Sequence, residues 1–115
     1  MADAQISISE KINGTKAVIS IAGELDAKTT PTLRAKLDEL LGQGIEGLLV
    51  DCTRLTYISS AGIGALNAAL KSLKDRNGKM ALSGLSKEVR DTMDLMFFTK
   101  RVAVYATAAE GEKNI

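Results

Sequence analysis

Two adjacent serines, Ser59 and Ser60, stand in the stretch TYISSAGIG (56–64), where an apolar run gives way to small residues. A serine at such a strand-to-helix junction has three chemistries open to it: nucleophilic attack, capping of the helix, or acceptance of a group from another enzyme. Nucleophilic catalysis finds little support in the surroundings. Ile58 occupies the place where the G-x-S-x-G elbow needs its first glycine. The chain has no histidine, which removes the usual general base, every Ser-His-Asp triad and nearly all zinc sites. A serine–lysine pair would need a desolvated lysine, and none stands out.

The neighbouring glycines do not make a phosphate cradle. Gly62-Ile63-Gly64 lacks the G-K-[ST] completion of a P-loop, and Leu66-Asn67 fills the position of a third Rossmann glycine. The simpler expectation is that Ala61, Gly62, Gly64, Ala65, Ala68 and Ala69 let a helix lie close to a sheet. Asp51, at the end of the apolar run GLLVDC (47–52), invites comparison with the phospho-accepting aspartate of receiver domains, with Glu24 and Asp26 as the acidic pair. An opening hairpin does not match a receiver, and Ser83-Gly84 replaces the expected strand-end signals. Asp51 is therefore expected to be a loop-capping carboxylate. Capping is also the plain expectation for Ser59 or Ser60, and it does not exclude modification. A phosphoryl group on a first-turn serine adds about −1.5 to −2 charge beside the positive end of the helix dipole, which the helix tolerates. A partner docked on the same spot would not.

The bulk properties are those of an ordinary globular domain. The 115 residues suit one domain, 1–115, with 45% hydrophobic and 25% charged residues. Fifteen basic and 14 acidic residues leave a net charge of +1, no footprint for nucleic acid or an anionic membrane. Two Phe, two Tyr and no Trp offer little for base stacking. The single Cys52 has no intrachain partner, which fits a reducing compartment. No apolar run is long enough to span a bilayer, and MADAQISIS lacks the basic start and apolar core of a leader. These features predict a cytoplasmic protein.

The elements that must position the serines follow from periodicity. Alternation predicts strands at 5–9 and 16–23, joined at the turn dipeptide Asn13-Gly14. A helix should start with Thr30 as cap and Pro31 in its first turn, and carry Leu33, Leu37, Leu40 and Leu41 before Gly42 and Gly44 end it. A short buried strand at 47–52 precedes a helix at 60–75 with Ile63, Leu66, Leu70 and Leu73 on one face. A strand at 79–84, a helix from Ser86 to about Leu95 with Val89, Met93 and Met96 inward, and a strand at 101–106 follow, with Thr107 capping a last short helix. At least one of Phe97 and Phe98 should be core. The order is β-β-α-β-α-β-α-β-(α), one α/β domain with a mostly parallel sheet behind an opening hairpin. The loops after the second and third strands lie at carboxyl ends of strands, where such folds place their sites.

At these residues the chain resembles the anti-sigma factor antagonist family, the single-domain bacterial STAS proteins. IAGELDAKTTPTLRAKL resembles the family's G-E-[LI]-D loop and first helix, and LLVDCTRLTYISSAGIGAL resembles its signature. GKMALSGLSKEVRDTMDLMFFTKRVAVYAT fits its third helix and last strand, although Met96, Phe97 and Phe98 stand where the family is more glycine-rich. The resemblance implies a STAS-like fold and a non-enzymatic phosphorylation switch without cofactor or metal. It implies a partner that is both anti-sigma factor and serine kinase of the GHKL ATPase type, and a PP2C-type phosphatase that reverses the modification. It places the acceptor at Ser60. Ser59 stands where the family often has aspartate, which makes it a rival acceptor. The implied partner surface comprises Asp26 and Thr29 from the first loop with Asp51, Ser59, Ser60, Ala61 and Gly62 from the second; the other expectation for Asp26 is a carboxylate that satisfies the Thr29–Thr30 helix start. A constitutive scaffold or a small-ligand-sensing module, in which the serine only caps, is the alternative.

Overall fold

One glycine sets the opening hairpin. In the computed structural model, which describes residues 6–115, β1 (Ile6–Asn13) runs antiparallel to β2 (Lys16–Leu25). Gln5 of the expected first strand, and residues 1–4 of the stretch read above for a leader, lie outside the described residues. The two-residue loop is Gly14–Thr15 rather than Asn13-Gly14, because Asn13 pairs with Lys16. Gly14 has φ +64° while Thr15 stays out of the left-handed region. That is the type II′ pattern, which needs glycine only at its first central position.

The rest alternates: α1 (Thr30–Gly42), β3 (Gly47–Ile58), α2 (Ser60–Asp75), β4 (Lys79–Ser83), α3 (Lys87–Leu95), a 3₁₀ turn (Phe98–Lys100), β5 (Ala103–Tyr105) and α4 (Ala108–Glu112). The five strands lie in chain order, and β2 to β5 are parallel. Strands added in one direction by right-handed crossovers send their helices to one face. There Ile19, Val50 and Leu82 of the strands join Leu37, Leu66 and Met93 of α1, α2 and α3 in one buried cluster. On the other face, Leu49 and Ala81 meet Ile115, with Val18, Tyr105 and Ala108 packed against them. α4 settles there because Gly111 has no side chain: a Cβ would sit 2.6 Å from Leu49 Cδ1.

Three further expectations change. The third strand does not stop at Cys52 but runs to Ile58, pairing with β2 throughout. Register shifts between Ser20 and Ala22 and between Gly23 and Glu24 let 12 residues of β3 match 10 of β2. Such irregularities break the two-residue alternation, so that Cys52, Leu55 and Ile58 are buried at intervals of three. The first helix is not capped by Thr30, which is its first residue; the loop ahead of it supplies the closure described below. Met96 is 42% exposed rather than core. The helix ends at Leu95, and Phe97 takes a left-handed conformation (φ 61°) that turns the chain and sends Phe98, not Phe97, into the core. Ser86 and Thr107 cap as expected, accepting from Val89 N and Glu110 N, both at 3.2 Å.

Cys52 is fully buried on the helix-facing side of β3. Burial, reinforced by the adjacent Asp51 charge, pushes its thiol up to about 12. An exposed thiol is far more acidic, and only the thiolate reacts. A water-soluble disulfide reagent is therefore expected to label Cys52 only as fast as the protein unfolds, and at once in denaturant. Rapid labelling of the native chain would contradict this packing.

Candidate functional site

The parallel pairing of β2 with β3 brings the ends of these strands together. Leu25 pairs with Ile58, and the next residue, Ser59, donates its backbone N–H to Leu25 O at 2.7 Å. The loop leading to α1 and the start of α2 are thus hydrogen-bonded neighbours.

In the first loop, Asp26 organises the turn. Its Oδ1 accepts from the backbone N–H groups of Lys28 and Thr29, both at 2.9 Å. Its backbone carbonyl accepts from Thr30 N at 2.9 Å and from Thr30 Oγ1 at 2.6 Å. The hydroxyl of Thr29, a buried residue, donates to Glu24 O at 2.7 Å and accepts from Asp26 N at 3.0 Å. An aspartate one turn ahead of the helix does the work expected of a capping threonine, and Pro31 needs no donor at this position.

These bonds, the Thr29 N–H first, hold the Asp26 carboxyl below its usual value of 3.8 against a smaller opposing effect of burial. A depressed carboxylate contributes stability above its unfolded value and loses it as pH falls through the folded value. Asp26→Asn is therefore expected to be less stable than the parent at neutral pH. The gap should close only below about pH 3.8, as thermal melts across an acid series would show.

In the second loop the serines divide their tasks. Ser59 has extended backbone (φ −95°, ψ 173°) and caps α2, its Oγ accepting from Gly62 N at 3.4 Å. Ser60 is the first residue of α2 and is exposed, and its hydroxyl has no partner among the described residues. Gly62 is buried beneath it: a Cβ there would lie 2.9 Å from Ile58 Cγ1 and 3.1 Å from Leu25 Cβ. Glycine at 62 is what seats the helix start on the strand ends. Gly64 differs, since a Cβ there would meet nothing within 4 Å. Of the six small residues read as packing residues, Gly62, Ala65 and Ala69 are buried while Ala61, Gly64 and Ala68 face outward.

The fold thus assembles Asp26, Thr29, Ser59, Ser60, Ala61 and Gly62 and leaves Asp51 apart. Because β3 continues for seven residues past Asp51, that residue sits roughly 20 Å down the strand. It faces the side of the sheet opposite α2, between Ser20 and Ser83 in register. Its carboxylate accepts from Thr53 Oγ1 (2.6 Å), Thr53 N (3.1 Å), Ser20 Oγ and Ser83 Oγ (both 3.4 Å). It is a mid-strand carboxylate with local partners, not the loop cap expected of it. The sequence reading passed over Tyr57, 49% exposed beside Glu24 on the last turn of chain before the serines. An aromatic residue in a segment read as loop carried no periodicity to mark it.

Comparison with known proteins places this architecture. Residues 7–111 match the STAS domain family. The anti-sigma-B factor antagonist of Listeria monocytogenes is 32% identical over 112 residues, 95% of each chain. A crystal structure of an anti-sigma factor antagonist from Mycobacterium paratuberculosis superposes with a TM-score of 0.87 at 20% identity, over 97% of this chain and 95% of that one. The Bacillus antagonist SpoIIAA, unphosphorylated, gives 0.82 at 22% identity over 93% and 94% of the two chains. Its phosphorylated form gives 0.75 over 93% and 97%, also at 22% identity. With nearly its whole length matched to the STAS domain and a full-length relative above 30% identity, the chain belongs to the STAS family of anti-sigma factor antagonists.

Proposed function

We propose that this chain is a phosphorylation-switched binding protein. Unphosphorylated, it sequesters an anti-sigma factor that is also a serine kinase of the GHKL ATPase type. The kinase transfers phosphate to Ser60, the complex separates, and a PP2C-type phosphatase restores the binding form. The protein acts in the cytoplasm as substrate and ligand, not as an enzyme.

The observation that carries this reading is the division between the two serines. Ser59 Oγ accepts from Gly62 N in the cap and is half-buried, while Ser60 offers an exposed hydroxyl with no partner among the described residues at the first residue of α2. A kinase reaches Ser60 without dismantling the helix start, and the dipole at that end accommodates the phosphate. The contact surface in this reading comprises Asp26, Thr29, Ser59, Ser60, Ala61 and Gly62, with Tyr57 at its margin. The names of the relatives support the partner class, and the existence of SpoIIAA in a phosphorylated form supports the modification by analogy.

The test is calorimetric titration of the purified chain with the anti-sigma factor of its own organism, before and after incubation with ATP. Tight binding that is lost after incubation supports the proposal. Binding of equal strength in both states would replace the switch with a constitutive scaffold.

A further inference from the structure

The far face of the sheet holds a second feature, remote from Ser60. α4 and the C-terminus cover the part of that face around Lys11, Val18, Leu49 and Ala81, and among the described residues nothing covers the part around Ser7, Ala22 and Arg54. There Ser9, Ser20 and Asp51 stand side by side across three strands, and Ser7, Ala22 and Arg54 form the next rung. Ala22, short between two larger neighbours, deepens the middle. The result is a cavity of ≈ 420 Å³ lined by Ser7, Ser9, Ser20, Asp51, Thr53 and Arg54 with the backbone around Ala22. That volume falls in the range of small-molecule sites.

Asp51 and Arg54 both line the cavity but form no ion pair with each other among the described residues. Asp51 is engaged with Ser20, Thr53 and Ser83. Arg54 has no hydrogen bond or ion pair among the described residues. A guanidinium is a planar fork suited to two oxygens of a phosphate, and the serine hydroxyls both donate and accept. Asp51 Oδ2 accepts from Ser20 alone among the described residues, which leaves it room for a ligand hydroxyl. Two residues of β2 separate the two rungs, about 7 Å, close to the distance from a phosphate to the far hydroxyls of a small sugar.

The geometry points to a binding site for a small polyhydroxylated phosphate ester, its phosphate on Arg54 and its hydroxyls on Ser7, Ser9, Ser20 and Asp51. The site lies across the sheet from α2, so its occupant does not compete with a partner at Ser60.

The experiment is an amide-shift NMR titration of the full chain with glucose 6-phosphate, inorganic phosphate and glucose. Glucose 6-phosphate is expected to give saturable shifts in residues 7–9, 20–22 and 51–54. Inorganic phosphate should bind more weakly and glucose should leave those amides unmoved. Arg54→Gln, whose side chain is exposed and bears on no core contact, should keep the melting temperature and weaken glucose 6-phosphate binding about tenfold or more. Arg54→Lys should fall between. The absence of saturable shifts in these segments, or shifts equally strong in Arg54→Gln, would overturn the site. Equal affinity for phosphate and its sugar ester would overturn the polyol assignment.

Discussion

Ser60→Asp is expected to weaken binding to the proposed kinase partner by roughly 100-fold or more, with the melting temperature nearly unchanged. The two halves of this result have one cause. Ser60 is exposed at the first residue of α2, so a carboxylate there meets water and the positive end of the helix dipole in the free protein. In a complex the same charge would be enclosed without a matching cation. An unpaired buried charge costs several kcal/mol, and about 3 kcal/mol corresponds to more than 100-fold in affinity. Phosphoserine carries up to twice the charge and should be at least as disruptive. Ser60→Ala should bind like the parent. Equal binding by Ser60→Asp and the parent in surface plasmon resonance would favour the constitutive scaffold.

The second large effect concerns Gly62 and is sharpened by its contrast with Gly64. A Cβ on Gly62 would press on Ile58 and Leu25, both fully buried, so Gly62→Val must lift the start of α2 off the strand ends. Overpacking of this kind costs about 2–3 kcal/mol, or roughly 10 °C in melting temperature for a chain of this size. Lifting the helix also moves Ser60 relative to the Asp26 loop, so partner binding should fall along with stability. Gly64→Ala, two residues on, meets open space and removes a helix glycine. It should gain about 0.5–1 kcal/mol and raise the melting temperature by a few degrees. Scanning calorimetry of both variants decides the matter: similar melting temperatures for the two would mean that α2 is not seated as described.

Those two glycines also show where the sequence could and could not be read. Both sit in one small-residue helix, and nothing local to GIG says which faces the sheet; the answer depends on where β3 ends. The element order was legible because leucine and isoleucine spacings in α1 and α2 keep a helical period and Ile6, Ile8, Ile19 and Ile21 alternate. The second half of β3 was not, because two register shifts against β2 space Leu55 and Ile58 by three, which breaks the two-residue alternation that marks a strand. That one omission displaced Asp51, which looked like a strand-end residue and is mid-strand. It also hid the Arg54 and Tyr57 positions, since residues taken for loop were given no face. Around the site itself the legibility was better. The junction at Ser59 and Ser60 was visible as a change from apolar to small residues. Asp26 as the carboxylate that satisfies the Thr29–Thr30 helix start was legible and is borne out at Thr29; the cap assigned to Thr30 was misplaced, because a loop carboxylate and a threonine both make plausible helix starts and only the backbone path chooses between them.

The most direct test of the account is phosphosite mapping by mass spectrometry, after the parent chain and Ser60→Ala have each been incubated with the cognate kinase and ATP. The account predicts a single phosphate per parent chain, located on Ser60, and none on Ser60→Ala. Normal incorporation into Ser60→Ala, on Ser59 or elsewhere, would contradict it.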